Sequence, residues 1–264
     1  MNKKIQIQPT ELILSALNCL EEGIEYYLSE CKNLPEIGKY ESDIETLNLT
    51  KLIIRHIESI IELGRLDLVL LPSSIVLARS SFETAINILW ILQPDDVFER
   101  EARWLSFLKQ DLQIYKKMGK YDYDEPTKEN LINKFNKISR FIDDEASKLP
   151  EEYSKIKDYP NFFKIIESLG TINRYPVYIL GSQYTHSSHY ATNIYCKNLG
   201  TSKIIKENIS EADWGFSISL AWFILWSSGN QIFSRIYKEK RSFFPDSFGI
   251  KAQNIINSIL NKNA

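Results

Sequence analysis

The chain of 264 residues is 44% hydrophobic and 25% charged, with a net charge of −2, the make-up of an ordinary globular protein long enough to bury a substantial core. So balanced a charge gives no global attraction to phosphate backbones, and any nucleic-acid contact has to come from a local basic patch. Cys19, Cys31 and Cys196 are scattered and lack CxxC spacing, which argues against a disulfide framework or a cysteine zinc site and points to a reducing cytoplasm.

The N-terminal MNKKIQIQPTELIL has two lysines but no long apolar run and no small-residue cleavage pattern, so no secretory signal is expected. Leu12, Leu17, Leu20, Ile24 and Leu28 then recur at helical spacing. In NLTKLIIRHIESIIELGRL the positions Leu49, Leu52, Ile53, Ile57, Ile60, Ile61 and Leu63 step by three and four, which predicts a second helix with one buried face. His56 sits at the edge of that stripe, beside Arg55, and reads as a boundary residue.

LPSSIVLARSSFETAINILWILQP has Pro72 near its start and Pro94 at its end, the positions where proline is tolerated at a helix start and enforces a stop. The next segment, PDDVFEREARWLSFLKQDLQIYKKMGK, opens with aspartates and closes with lysines and Gly119, charges that match the helix dipole. Within it, Glu99, Arg100, Glu101 and Arg103 read as a largely solvated face, Arg103 being the one expected to turn inward. Lys116, Lys117 and Lys120 form a small basic patch.

A charged excursion follows over residues 119–161, with one polar amphipathic helix near Leu131–Lys148. Helical character returns at PNFFKIIESLG and from about Asn173 to Leu199, broken by Pro176 and Gly181. A short strand is conceivable only near Lys203–Ile205. From Trp214 to Ser234 no residue is charged, yet five serines and tryptophans spread through the middle fit a buried bundle helix better than a membrane span. A short C-terminal helix ends the chain. The fold class expected is all-α: a bundle of about eight or nine helices forming a single domain over 1–264.

Two segments carry candidate chemistry. SQYTHSSHY, residues 182–190, holds two of the chain's three histidines. Were the run helical, His186 and His189 would share a face. No acidic residue lies between Gly170 and Lys206, so a metal would have to draw every carboxylate from elsewhere, and none is expected. An acid–base role needs less: one imidazole oriented by a hydroxyl from Tyr184, Ser182 or Ser187. The second segment is Arg79 with Glu83, one turn apart on a strongly apolar helix, where an unpaired charge is costly. The pair reads either as a structural salt bridge or as a guanidinium aimed at a phosphate or carboxylate and held by Glu83. No P-loop, dinucleotide-binding or nucleophile-elbow motif is present.

Taken in order, LARSSFETAINILWIL, EREARW and YILGSQYTHSSHY resemble the prokaryotic DUF5677 family of unknown function over about residues 70–240. The positions that match its pattern are Arg79, Glu83, Tyr178, Ser182, Tyr184, His186 and Ser188. The resemblance implies an all-helical protein similar in style to HEPN-type ribonucleases of defence systems, helical dimers that cleave RNA without a metal by means of an arginine and a histidine. Their usual spacing, arginine four to six residues before histidine, is missing, since Arg174 is too far from His186 and Arg55 abuts His56. A cutting pair would therefore come from two helices. On this reading His186, Arg79, Glu83 and Tyr184 are catalytic, and Ser182, Ser187, His189 and Arg103 bind substrate. RNA is the substrate, no cofactor is needed, a second copy or another protein is the partner, and no membrane is involved. The alternatives are a non-catalytic interaction scaffold rich in aromatic surface and a nucleotide or small-molecule sensor using the same pocket.

Overall fold

The computed structural model describes residues 6–32, 40–194, 209–239 and 242–261. It is all-α. Its helices in chain order are α1 (Glu11–Lys32), α2 (Glu41–Leu66), α3 (Leu71–Leu92), α4 (Val97–Met118), α5 (Glu125–Ala146), α6 (Glu151–Ser154), α7 (Phe162–Ser168), α8 (Tyr175–Thr185), α9 (Glu211–Arg235) and α10 (Asp246–Leu260). Three 3-10 turns, Leu68–Leu70, Ile172–Arg174 and His189–Ile194, complete the described elements, among which there is no strand. Lys203–Ile205, Cys196 and the first residues of the chain lie outside the described residues.

Helix ends follow local chemistry. Pro72 occupies the first turn of α3, where its missing N–H costs nothing. Asp96 caps α4 by accepting a hydrogen bond from the Phe98 amide at 2.8 Å. Ser210 and Asp213 cap α9 reciprocally, the Ser210 amide donating to the Asp213 carboxylate at 2.7 Å.

The hub of the bundle is α3: α2, α4, α7, α8 and α9 all pack against it. Phe82 of α3, Trp214 of α9 and Phe243 and Phe244 before α10 are fully sealed from water, each contributing about 1.5–3 kcal/mol by burial. The Trp214 indole N–H donates to the Leu68 carbonyl at 2.9 Å, so its polar atom is also satisfied. Among the described residues one helical stretch, Leu68–Leu92, is long and apolar enough to cross a membrane, and most of it is buried inside the bundle.

Three details differ from the sequence reading. In α2, Leu52 is 46% exposed while Ile54 is in the core, because α2 packs on α1, α3 and α9 together and so buries a wider face. In α1, Leu28 is exposed and Tyr27 takes its place inside. Helix α9 is not sheathed all round. Phe216, Phe223 and Trp226 line a groove of about 730 Å³ between α8, α9 and α10.

The segment after α4 folds back as α5. Trp104 meets Phe141 edge to face at 5.8 Å, and the Lys116 ammonium lies 5.6 Å from the Phe135 ring centre. The reversed order of those contacts makes α4 and α5 an antiparallel hairpin.

Candidate functional site

The site is built where α8 crosses α3. Gly181, mid-helix, lets the two backbones approach: a Cβ there would come within 2.8 Å of the Arg79 Cβ and 3.0 Å of its Cγ. Gly181 therefore does not break the helix, and Pro176 sits in the first turn of α8 and starts it.

The Arg79 side chain lies in this crossing with 13% of its surface exposed. Its Nε donates to the Ser182 hydroxyl at 3.1 Å, Nη1 to the Thr185 hydroxyl at 3.4 Å, and Nη2 to Glu83 Oε1 at 3.1 Å. The guanidinium also faces the Tyr178 ring at 4.9 Å, a cation–π contact that further fixes its plane. Three of the fork's five N–H groups are thus engaged, leaving two for an outside acceptor. The Ser182 hydroxyl also donates to the Tyr178 carbonyl at 2.7 Å, so its one proton is used within α8 while its oxygen accepts from Arg79.

Glu83 is half-buried. Burial raises its carboxyl above the ordinary glutamate value, while the charges of Arg79 and His186 pull the other way. His186, Arg79 and Glu83 thus share one neighbourhood, although they come from helices more than a hundred residues apart in the chain.

His186 is the C-cap of α8 and is exposed. The turn after it is a Schellman motif: the Ser188 amide donates to the Gln183 carbonyl at 3.0 Å and the Ser187 amide to the Tyr184 carbonyl at 3.3 Å. Ser187 takes the left-handed position with φ +50°, a place that glycine usually fills. The turn separates the two histidines. His189 begins a 3-10 turn, with its Nδ1 3.4 Å from the Thr192 hydroxyl, so the pair does not share a helical face. Ser187 and His189 both point to solvent; Tyr184 is half-buried and meets Tyr190 edge to face at 6.4 Å.

Arg103 lies elsewhere. It donates to the Trp90 carbonyl and to Gln93 Oε1, both at 2.8 Å, and to Glu99 at 2.9 Å, locking the end of α3 to α4. Trp90 follows Arg79 by eleven positions on α3, about 16 Å along the axis, so Arg103 is not part of the Arg79 cluster. In the same charged run Arg100 is the truly buried cation, 7% exposed and 3.9 Å from Asp43 of α2.

Glu83 also lines a cleft of about 560 Å³ between α3, α4 and the 155–161 link. Asn87, Gln110 and Gln113 give it a carboxamide lining, with Tyr159 and Phe162 as rings and Lys117 as its cation. Nothing in the sequence singled out Asn87, Gln110 or Gln113, because neutral amides on two helices leave no motif. Among the described residues, no three His, Cys, Asp or Glu side chains gather as a metal ion would need.

A family model, described as DUF5677, a family of unknown function, matches residues 43–202. The match starts earlier than the motif resemblance at about 70, taking in α2, and stops before α9 instead of near 240. It runs through the 119–161 segment and includes every residue of the Arg79–His186 cluster. No curated protein and no solved structure matches the chain. With more than half of its length matched, the chain belongs to the DUF5677 family, whose function is unknown.

Proposed function

We propose that this protein is a defence- or toxin-type effector that cleaves RNA in the cytoplasm without a metal, at the edge where α3 meets α8. The single observation behind the reading is the convergence of Arg79, Glu83 and His186 on one partly open surface. Glu83, a carboxylate whose affinity for protons burial has raised, takes the proton of the ribose 2′-hydroxyl. The freed O2′ attacks phosphorus, the P–O5′ bond breaks, and the His186 imidazolium gives its proton to the departing O5′. The products are a 2′,3′-cyclic phosphate and a 5′-hydroxyl. The two unengaged N–H groups of Arg79 face the charge that builds on the phosphoryl oxygens.

The test is cleavage of a labelled single-stranded RNA by the wild type and by His186→Ala. The expected result is a loss of about 10²–10⁴-fold with an unchanged thermal melt, since His186 is exposed. DNA of the same sequence, which lacks the 2′-hydroxyl, should stay intact. Equal rates for the two proteins, or no cutting by either, would overturn the proposal.

A second reading, a non-catalytic helical protein that pairs with another copy, draws on the aromatic groove between α8, α9 and α10 and on exposed Ile250 and Leu260 beside it. Light scattering of the wild type and of Ile250→Asp tests it: a dimer that falls to a monomer supports the reading, and a monomeric wild type removes it.

A further inference from the structure

We infer that the cleft lined by Glu83 is a nucleobase pocket, which takes one unpaired base, adenine by preference, from the RNA strand whose backbone crosses Arg79 and His186. The inference rests on the RNA-cleaving reading for the identity of the strand, but base binding can be measured without any cutting.

At about 560 Å³ the cleft is within the range of small-ligand sites, roughly 300–1,000 Å³, and has room for a base and its sugar. Its polarity is unusual. The only full charges on the lining are those of Glu83 and Lys117, and most of its other polar side chains are carboxamides. Asn87 accepts the Tyr159 hydroxyl proton at 2.5 Å through Oδ1, which leaves its NH₂ without a protein acceptor among the described residues. The Gln110 side chain lies close to the same tyrosine. Gln113, on the exposed side of α4, has no side-chain partner among the described residues.

A carboxamide offers a donor and an acceptor side by side. Adenine presents the complement, an amino donor next to a ring-nitrogen acceptor, and Asn or Gln pairs with it through two bonds. The rings of Tyr159 and Phe162 supply flat apolar wall, the other half of how unpaired bases are held. Phe162 is backed by Tyr178 at 4.4 Å and Tyr159 by Trp90 at 5.5 Å, so neither ring is loose. Lys117 has no carboxylate within ion-pair distance among the described residues, which suits it to the next phosphate of the strand.

Glu83 joins the two parts. It touches Arg79 on one side and lines the cleft on the other. A base seated among the amides therefore places its own ribose and phosphate toward Glu83, Arg79 and His186, which makes the pocket the element that chooses where the strand is cut.

The experiment is fluorescence-anisotropy titration of His186→Ala protein with ten-nucleotide oligouridines carrying one central adenine, cytosine, guanine or no replacement. The expected result is at least about ten-fold tighter binding of the adenine oligomer. Gln113→Ala should bring that preference below about three-fold, and Lys117→Ala should weaken all four oligomers alike. Equal affinity for the four overturns the pocket, and a preference for another base overturns the adenine assignment. AMP competing as well as the adenine oligomer makes a free nucleotide the ligand and overturns the strand. Wild-type protein assayed on the same oligomers separates the two ideas: adenine preference without cutting removes only the RNase reading, and cutting without base preference removes only the pocket.

Discussion

Arg79 Nε donates to the Ser182 hydroxyl at 3.1 Å, joining α3 to α8 across 103 residues of chain. The bond exists because Gly181 leaves space for the arginine stem. Gly181→Ala would bring a methyl within 2.8 Å of the Arg79 Cβ, an atom close to the backbone that cannot swing away. The substitution should destabilise the protein by about 1–3 kcal/mol, the usual effect of overpacking a tight contact. Denaturant unfolding measures it, and a neutral result would show that the two helices are not pressed together.

Arg79→Lys keeps the charge but not the fork. An ammonium cannot reach Ser182, Thr185 and Glu83 in three directions at once, so the variant should lose about 1–3 kcal/mol from unmet buried polar groups. On the RNA-cleaving proposal, strand cutting should fall with it. Wild-type stability in the lysine variant would mean that the three-way geometry contributes nothing.

Ser187 holds a left-handed conformation, φ +50°, without being glycine. Ser187→Gly should relieve that strain and raise stability by about 0.5–1 kcal/mol, the left-handed penalty less the added freedom of glycine in the unfolded chain. A thermal melt shows it as a small upward shift; a downward shift would mean that the serine hydroxyl does more than occupy the turn.

The pair Arg100–Asp43 is buried but loosely matched. The closest approach is 3.9 Å, and Arg100 Nε and Asp43 Oδ1 have no hydrogen-bond partner. Removing one partner leaves the other charge stranded, so Arg100→Ala should cost about 3–5 kcal/mol. The double variant Arg100→Met with Asp43→Leu should recover most of that loss in the same unfolding experiment.

Burial raises the carboxyls of Asp43, Glu45, Glu83, Glu101 and Asp111 above their ordinary values. Each then binds protons more readily folded than unfolded, so the stability it contributes is full below its unfolded value and is lost as pH rises through its folded one. His56, lowered from 6.5 by burial, acts the opposite way and loses its contribution as pH falls below that value. The carboxyl share of the stability should therefore decline as pH rises above the unfolded values of 3.8 for aspartate and 4.5 for glutamate, and less steeply in Glu83→Gln. Parallel pH profiles for the two proteins would refute the Glu83 share.

The helices were legible because apolar positions three and four apart can only be buried on a helix, and because Pro72, Pro94 and Gly119 mark starts and stops locally. Which residue of a stripe faces in was less so. Leu52 and Ile54 exchange roles according to how many neighbours α2 has, and that is a property of the assembled bundle. Arg79 with Glu83 stood out because charge on an apolar helix demands a partner. Arg100 did not, because it was hidden among four charges and its partner Asp43 is distant in the chain. The run SQYTHSSHY lies where α8 crosses α3 but did not reveal its own shape, since a serine in a left-handed turn carries no signature.

That Glu83 belongs both to the arginine cluster and to the amide-walled cleft has a thermodynamic consequence. Any molecule that fills the cleft takes hydration away from this carboxylate and increases its appetite for hydrogen ions. Occupancy and protonation are then linked quantities: association draws H⁺ from the medium, and calorimetric heats measured in Tris and in phosphate differ by the amount absorbed.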